Sequence, residues 1–408
     1  MVMTTLATKD APVITSTANP LVFIYSAPAC PLGQVLSAQF TSPEGYVQST
    51  PAKACNGFSM NFYLAGMRSK AQYSIQQMEA HETPATTGPP LELTTPPLSL
   101  AAAQVSMLAA APPAVGGILL QSTFSSPTVA TVSGNVIWYY AVNISFLTRP
   151  VSGGTFMGLA EDGTKDRSQQ FFREFDLAGI TLAETNAARV NEQLAAMGVH
   201  PINGFHHEAR KLANGDYLVL ANSARMLTDV QGPGPVDVIG DTILVFDPNL
   251  QVLWAWDAFD HLDPHRGAIL GETCVYPAGL SCGPFYLAPN ANDWLHGNSV
   301  QLTPDGNLLY SARHQDQVIK IDYENGAGTG NVLWRLGAGG DFKLAAGDPR
   351  LGPLDRNPWF SHQHDPGFEP NDSTLTLYDN GNTRIAATQA ATAAARRYGL
   401  TNDAAKPA

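Results

Sequence analysis

The sequence predicts an all-β protein whose larger part is a β-propeller, and three observations carry the prediction. Apolar residues come in short alternating runs between Gly, Pro and Ser turns, the pattern of half-buried strands. Gly and Pro number 36 and 30, so breaks in regular structure recur along the whole 408-residue chain. A unit of four strands repeats in the second half of the sequence. Charged residues make up 14% and apolar residues 44%, a balance that suits two or three cored domains and excludes a disordered chain or a helical bundle.

In chain order, residues 1–14 are expected to be disordered, and MVMTTLATKDAPVITSTANP shows neither a basic n-region nor an apolar h-region. Residues 15–112 read as a small β domain. Its strands are marked by Leu21-Val22-Phe23-Ile24-Tyr25 and Met60-Asn61-Phe62-Tyr63-Leu64, and the Pro-, Thr- and Ala-rich stretch from His81 to Pro113 is its linker. Residues 113–385 hold the repeats. One unit runs from His206 through KLANGDYLVLA (211–221) and DTILVFD (241–247) to QVLWAWD (251–257). A second runs from His296 through QLTPDGNLLYSAR (301–313) and DQVIKID (316–322) to NVLWRLG (331–337). A third opens at Ser361-His362-Gln363-His364 and continues with TLTLYDNGN (374–382). Less regular copies lie at GNVIWYYAV (134–142) and QQFFREFDLAGITLAE (169–184), and TNAARVNEQLAAMG (185–198) has helical composition. Asn-Gly and Asp-Gly turns supply the positive φ of tight hairpins, and four short strands per unit match propeller blades of about 40–50 residues. A β-sandwich of similar hairpins is the competing reading.

The chemistry gathers at the starts of these units. His206 and His296 both lie six residues upstream of a strand anchor, Leu212 or Leu302, and His362 and His364 lie six and four upstream of Phe368. Offsets of six and four share one face of a strand, so three blades aim imidazoles at one axial site. His207, at offset five, points away unless a bulge reverses it. Such a cluster suits a transition metal. The neighbouring Asn298, Arg313, His314 and Gln315 bring few carboxylates, and a guanidinium among imidazoles suits a tetrahedral oxyanion better than a metal. No metal ligand set and no cofactor is assigned. A net charge of −12 without any Lys/Arg block excludes a nucleic-acid partner. No stretch approaches the roughly 20 apolar residues of a membrane span. Trp294, Phe285, Tyr286, Trp359 and Phe360 are candidates for a ring-lined entrance. Cys30, Cys55, Cys274 and Cys282 form two local pairs, which leans towards disulfides and an oxidising compartment.

The runs HHEARKLANGDYLVL (206–220), WLHGNS (294–299), SARHQDQVIKID (311–322) and WFSHQHD (359–365) resemble the bacterial arylsulfate sulfotransferases, closely over residues 200–384 and more loosely before them. The resemblance implies a six-bladed propeller preceded by a small Ig-like β-sandwich. It implies transfer of a sulfuryl group from a phenolic sulfate ester to another phenol, without a nucleotide sulfate donor. By the same resemblance the histidine of the Gln363-His364 pair is the nucleophile, transiently sulfated in a ping-pong reaction. His296, Arg313 and one of His206 and His207 join it in catalysis, while Asn298, Gln363, His362 and His314 bind substrate. The protein is expected to be periplasmic or secreted, and the family suggests a homodimer. The chain departs from the family after Asn382. TRIAATQAATAAARRYGLTNDAAKPA is Ala-rich without period-2 alternation, so residues 386–408 are expected to be a disordered or helical tail on an incomplete propeller. A metal-dependent propeller enzyme, or a truncated propeller without catalysis, are the alternative functions.

Overall fold

A computed structural model describes residues 11–80, 86–98, 117–121, 126–142, 144, 146–160, 169–275, 287–343, 359–369, 374–383 and 394–399. The chain divides into two compact units, residues 1–160 with 173–183, and residues 161–172 with 184–408. The described residues are dominated by antiparallel strands, so the protein is all-β.

In the first unit, Val13–Ser16, Phe23–Ala27 and Met60–Leu64 form a three-stranded sheet. Val35–Thr41 and Gln72–Ala80 are the centre of a six-stranded one. Burial alternates strictly along Val35–Thr41 and Met60–Leu64, the mark of sheets with one buried face. Tyr25, Phe62 and Leu64 from one sheet and Leu36, Phe40, Tyr73 and Ile75 from the other share a single apolar core. Cys30 and Cys55 are joined by a disulfide within it, with Cα atoms 5.6 Å apart. Cys274, in the second unit, is also disulfide-bonded, and its expected partner Cys282 lies outside the described residues.

The second unit contains the helix Ala187–Met197, as the composition of 185–198 predicts. The Asn186 side chain accepts a hydrogen bond from the Arg189 N–H at its start, and Gly198 ends it in the left-handed conformation at φ 72°. Three sheets follow, called here by their leading histidines. The His206 sheet is a meander of Gly204–Lys211, Tyr217–Thr228, Pro235–Phe246 and Val252–Asp257. Its third strand is 12 residues long and forks. Thr242–Phe246 pairs with Val252–Asp257, while Asp237–Ile239 pairs in parallel with Asn290–Asp293, to which Thr273–Val275 is added. The His296 sheet is the plain meander Gly297–Leu302, Leu308–Ala312, Gln317–Ile321 and Val332–Gly337. The His364 sheet consists of His364–Phe368, Thr374–Asp379 and Ala394–Gly399.

The middle sheet shows how the repeat generates a core on both faces. Leu308, Tyr310 and Ala312 point into one cluster with Leu218, Ile243, Val245 and Trp256 of the His206 sheet. Leu309, Val318 and Leu336 point the other way, into a second cluster with Phe360, Leu375 and Leu377. Alternation of side chains along a strand therefore fills both interfaces from one sequence run.

Ala394–Gly399 corrects the expectation of a helical or disordered tail, because it pairs antiparallel with Thr374–Asp379 over six residues. An open edge strand is a template of unpaired N–H and C=O groups, and that demand overrides the helix propensity of an Ala-rich run.

Candidate active site

Each of the three sheets enters its first strand through an irregularity. Register shifts fall between Phe205 and Ala209, between Gly297 and Ser299, and between His364 and Gly367. His207 sits within the first of these, and His296 and His362 lie one and two residues before the others, with φ of 52°, 46° and 52°. Non-glycine residues rarely take this left-handed conformation, and histidine is one of the few enriched in it. Its recurrence at three unit starts turns the backbone so that neighbouring histidines face different partners. Ring centroids run from His206 to His207 at 5.2 Å, His207 to His296 at 5.1 Å, His296 to His314 at 4.6 Å and His314 to His362 at 5.5 Å. The bulge thus reverses the simple alternation that pointed His207 away. His207 stands against His296, and His206 lies behind it.

A cavity of about 760 Å³ opens at this end of the sheets, lined among others by His296, Arg313, His314, His364, Asn380 and Glu272. His364 is held by Asn380, whose Oδ1 lies 2.7 Å from its Nδ1. The amide oxygen only accepts, so Nδ1 carries the proton and Nε2 keeps its lone pair. Burial, with Arg313 and His296 nearby, lowers the His364 pKa despite that bond. His314 donates from Nδ1 to the Asp293 carbonyl at 2.7 Å, which leaves Nε2 to accept from Arg313 Nη1 at 2.5 Å. Burial pushes His314 down to about 4, so it acts as a neutral bracket that orients the guanidinium. His296 donates from Nδ1 to Asp293 Oδ2 at 2.6 Å. His207 is pushed well below its ordinary value by burial and then by His206 and His296.

Three residues expected to touch substrate are buried and hydrogen-bonded within the chain. Gln363 is fully buried, and its amide donates to Ser311 Oγ, the Ala312 carbonyl and the Gln317 carbonyl. Asn298 donates to the Gln363 carbonyl at 2.7 Å. Together they fix the backbone that presents His364. His362 is fully buried, with Nε2 hydrogen-bonded to Glu272 Oε1 and Nδ1 3.0 Å from Asp316 Oδ1. Burial opposes its charge, but Asp316 and Glu272 outweigh burial and raise the His362 pKa. Glu272 is drawn down to about 2, since the His362 bond and nearby His314 overcome its burial. Two of the rings expected at the entrance pack in the core instead, the other reading those aromatics allow. Trp294 and Phe360 are buried in the core, and Phe285 and Tyr286 lie outside the described residues.

The expectation of few carboxylates is wrong for the folded chain. Asp241, Glu272, Asp293 and Asp316 all reach the histidine cluster, brought by strands and loops remote in sequence. Asp293, three residues before His296, and Asp316, next to Gln315, were within reach of a sequence argument, whereas Asp241 and Glu272 were not. Glu272, His314 and His362, and likewise Asp293, His296 and His314, are close enough to hold a cation. The nitrogens of His314 and His362 already donate to oxygen or, at His314 Nε2, accept from Arg313, and His296 Nδ1 donates to Asp293, so a metal at those atoms would have to displace protons and a guanidinium. The donor chemistry suits an anion better.

No helix among the described residues is long and apolar enough to cross a membrane. A family model described as Arylsulfotransferase (ASST) matches residues 103–401. No curated protein matches this chain. Among solved structures, it is similar to a putative 6-phosphogluconolactonase from Bacteroides uniformis, at 11% identity and a TM-score of 0.31, covering 90% of this chain and 97% of that one. A second, from Bacteroides fragilis, covers 90% of this chain and 95% of its own at 12% identity and a TM-score of 0.28. Neither likeness bears on what the chain does.

Proposed function

Since the chain belongs to the arylsulfotransferase family, we propose that it moves a sulfuryl group from an aryl sulfate ester to a phenol through a sulfohistidine on His364. The observation that carries this reading is the Asn380–His364 bond at 2.7 Å, which leaves an unprotonated Nε2 in a cavity shared with Arg313. In the first step Nε2 attacks sulfur, the N–S bond forms as the bond to the aryl oxygen breaks, and the phenolate leaves with a proton from a neighbouring imidazole. In the second, an acceptor phenol attacks sulfur, returns its proton to that imidazole and releases His364. Two displacements at one nitrogen replace a single encounter of three partners. Charge gathers on the three equatorial sulfuryl oxygens, where Arg313 offers paired donors held in place by His314.

Leu270 offers the aryl ring one apolar side chain in an otherwise polar cavity. On the same reading the meander sheets are blades of a propeller, six in the family pattern, and residues 15–112 are a β-sandwich. The Cys30–Cys55 bridge supports a periplasmic or secreted location. Varying 4-nitrophenyl sulfate against a phenol should give the parallel double-reciprocal lines of ping-pong kinetics, lost with turnover in His364→Ala. Intersecting lines, or turnover retained in that variant, would sink the reading.

A further inference from the structure

The cavity that holds Arg313 carries more negative charge than an anion site needs. Among the described residues that line it, Arg313 is the only lysine or arginine, while Glu272 and Asp293 are both carboxylates. The Glu272 side chain is 22% exposed, so it meets the cavity directly. Its Oε2 accepts the Leu270 N–H at 3.1 Å and its Oε1 is bonded to His362, which holds the carboxylate in the wall. Asp293 is more enclosed and accepts from His296. Burial lowers the Arg313 pKa, and Glu272, Asp293 and nearby Asp316 offset part of that loss. One guanidinium thus answers to three carboxylates before any substrate enters. His362, between Glu272 and Asp316, offsets one of them. His314 and His364 add no charge near neutral pH, because burial lowers both.

A sulfate ester and a phosphate monoester of one phenol present the same tetrahedron of oxygens, so shape does not separate them. Charge does. The sulfate ester carries one negative charge, and the phosphate monoester gains a second above a pKa of about 6. We propose that Glu272 and Asp293 tune the cavity to the singly charged sulfate ester and repel the doubly charged phosphate ester. The inference rests on the reading above, in which Arg313 receives the sulfuryl oxygens. One guanidinium matches one charge shared over three oxygens. A second charge would find no further lysine or arginine among the described lining residues. It would face two carboxylates across a partly enclosed cavity, where solvent screens them poorly. Selection of this kind comes from the repulsive element, not from added attraction.

The test uses phenyl phosphate as a competitive inhibitor of 4-nitrophenyl sulfate turnover. At pH 5 the inhibitor is mostly a monoanion and at pH 7 mostly a dianion. Its Ki is divided by the KM of the sulfate ester, whose charge does not change, so that titration of the imidazoles enters both. In the wild type this ratio should rise about tenfold from pH 5 to pH 7, following the loss of the monoanion. In Glu272→Gln the rise should shrink to about threefold or less. Asp293→Asn should do the same, and it decides alone should Glu272→Gln fail to fold. A flat ratio in the active wild type, or the full rise in the folded variants, would overturn the inference. A wild type that neither turns over the sulfate ester nor forms a sulfo adduct would instead overturn the functional reading, so the two failures are distinguishable.

Discussion

His362 and His364 lie two residues apart at the same sheet entrance and have opposite fates. His362 is fully buried between Glu272 and Asp316, two carboxylates that raise its pKa against its burial. His364 meets an amide oxygen, a guanidinium and another imidazole, and its pKa falls. The left-handed turn at His362 separates the two environments. One residue type thus meets neighbours that favour its charge or neighbours that oppose it, and sequence spacing alone does not say which.

The contrast breaks most sharply in the paired alanine variants. His364→Ala should lose transfer by on the order of 10⁴-fold or more while its thermal midpoint stays that of the wild type. His362→Ala should do the reverse first, losing about 3 kcal/mol of stability because Glu272 and Asp316 are left facing each other without their cation. The pH dependence of that loss follows from the two shifts. A raised His362 contributes stability that is complete below its ordinary 6.5 and is lost as pH rises through its folded value. A lowered Glu272 contributes stability that is complete above its ordinary 4.5 and is lost as pH falls towards about 2. The difference in melting temperature between wild type and His362→Ala should therefore be greatest between pH 4.5 and 6.5. A difference that instead grew above neutrality would contradict the clamp.

Gly297→Ala should cost about 2 kcal/mol by pressing a methyl group on Tyr310 and Asp241, a loss visible in urea melts. A variant as stable as the wild type would show that this close approach is not needed. Asn380→Ala sharpens the comparison with the smallest effect, about tenfold in kcat from one lost orienting bond. Because that bond raises the His364 pKa, its removal should also move the acid limb of the rate profile to lower pH, from a wild-type limb already below 6.5.

Much of the fold was legible because strand alternation and Gly turns are local. Gly215 and Gly306 take φ of 94° and 81° in the Asn-Gly and Asp-Gly turns, and the runs after them are the strands of the His206 and His296 sheets. The strand Ala394–Gly399 was not legible, since its cause is the edge of Thr374–Asp379 and not its own composition. At the site, spacing identified the histidines and the arginine but not their carboxylate partners. Asp241 and Glu272 are isolated acids in sequence, and only strand pairing brings the first to His206 and the second to His362. The same gap explains why the bonds that Gln363 and Asn298, polar residues beside the histidines, make to backbone carbonyls and to Ser311 were not legible.

Mass spectrometry of the peptide containing His364, after brief exposure to an aryl sulfate and a rapid quench, addresses the nucleophile itself. One sulfo group on that imidazole, discharged when a phenol is added, is the predicted result. A sulfo group carried by another histidine, or turnover with His364 unmodified at every time point, would contradict it.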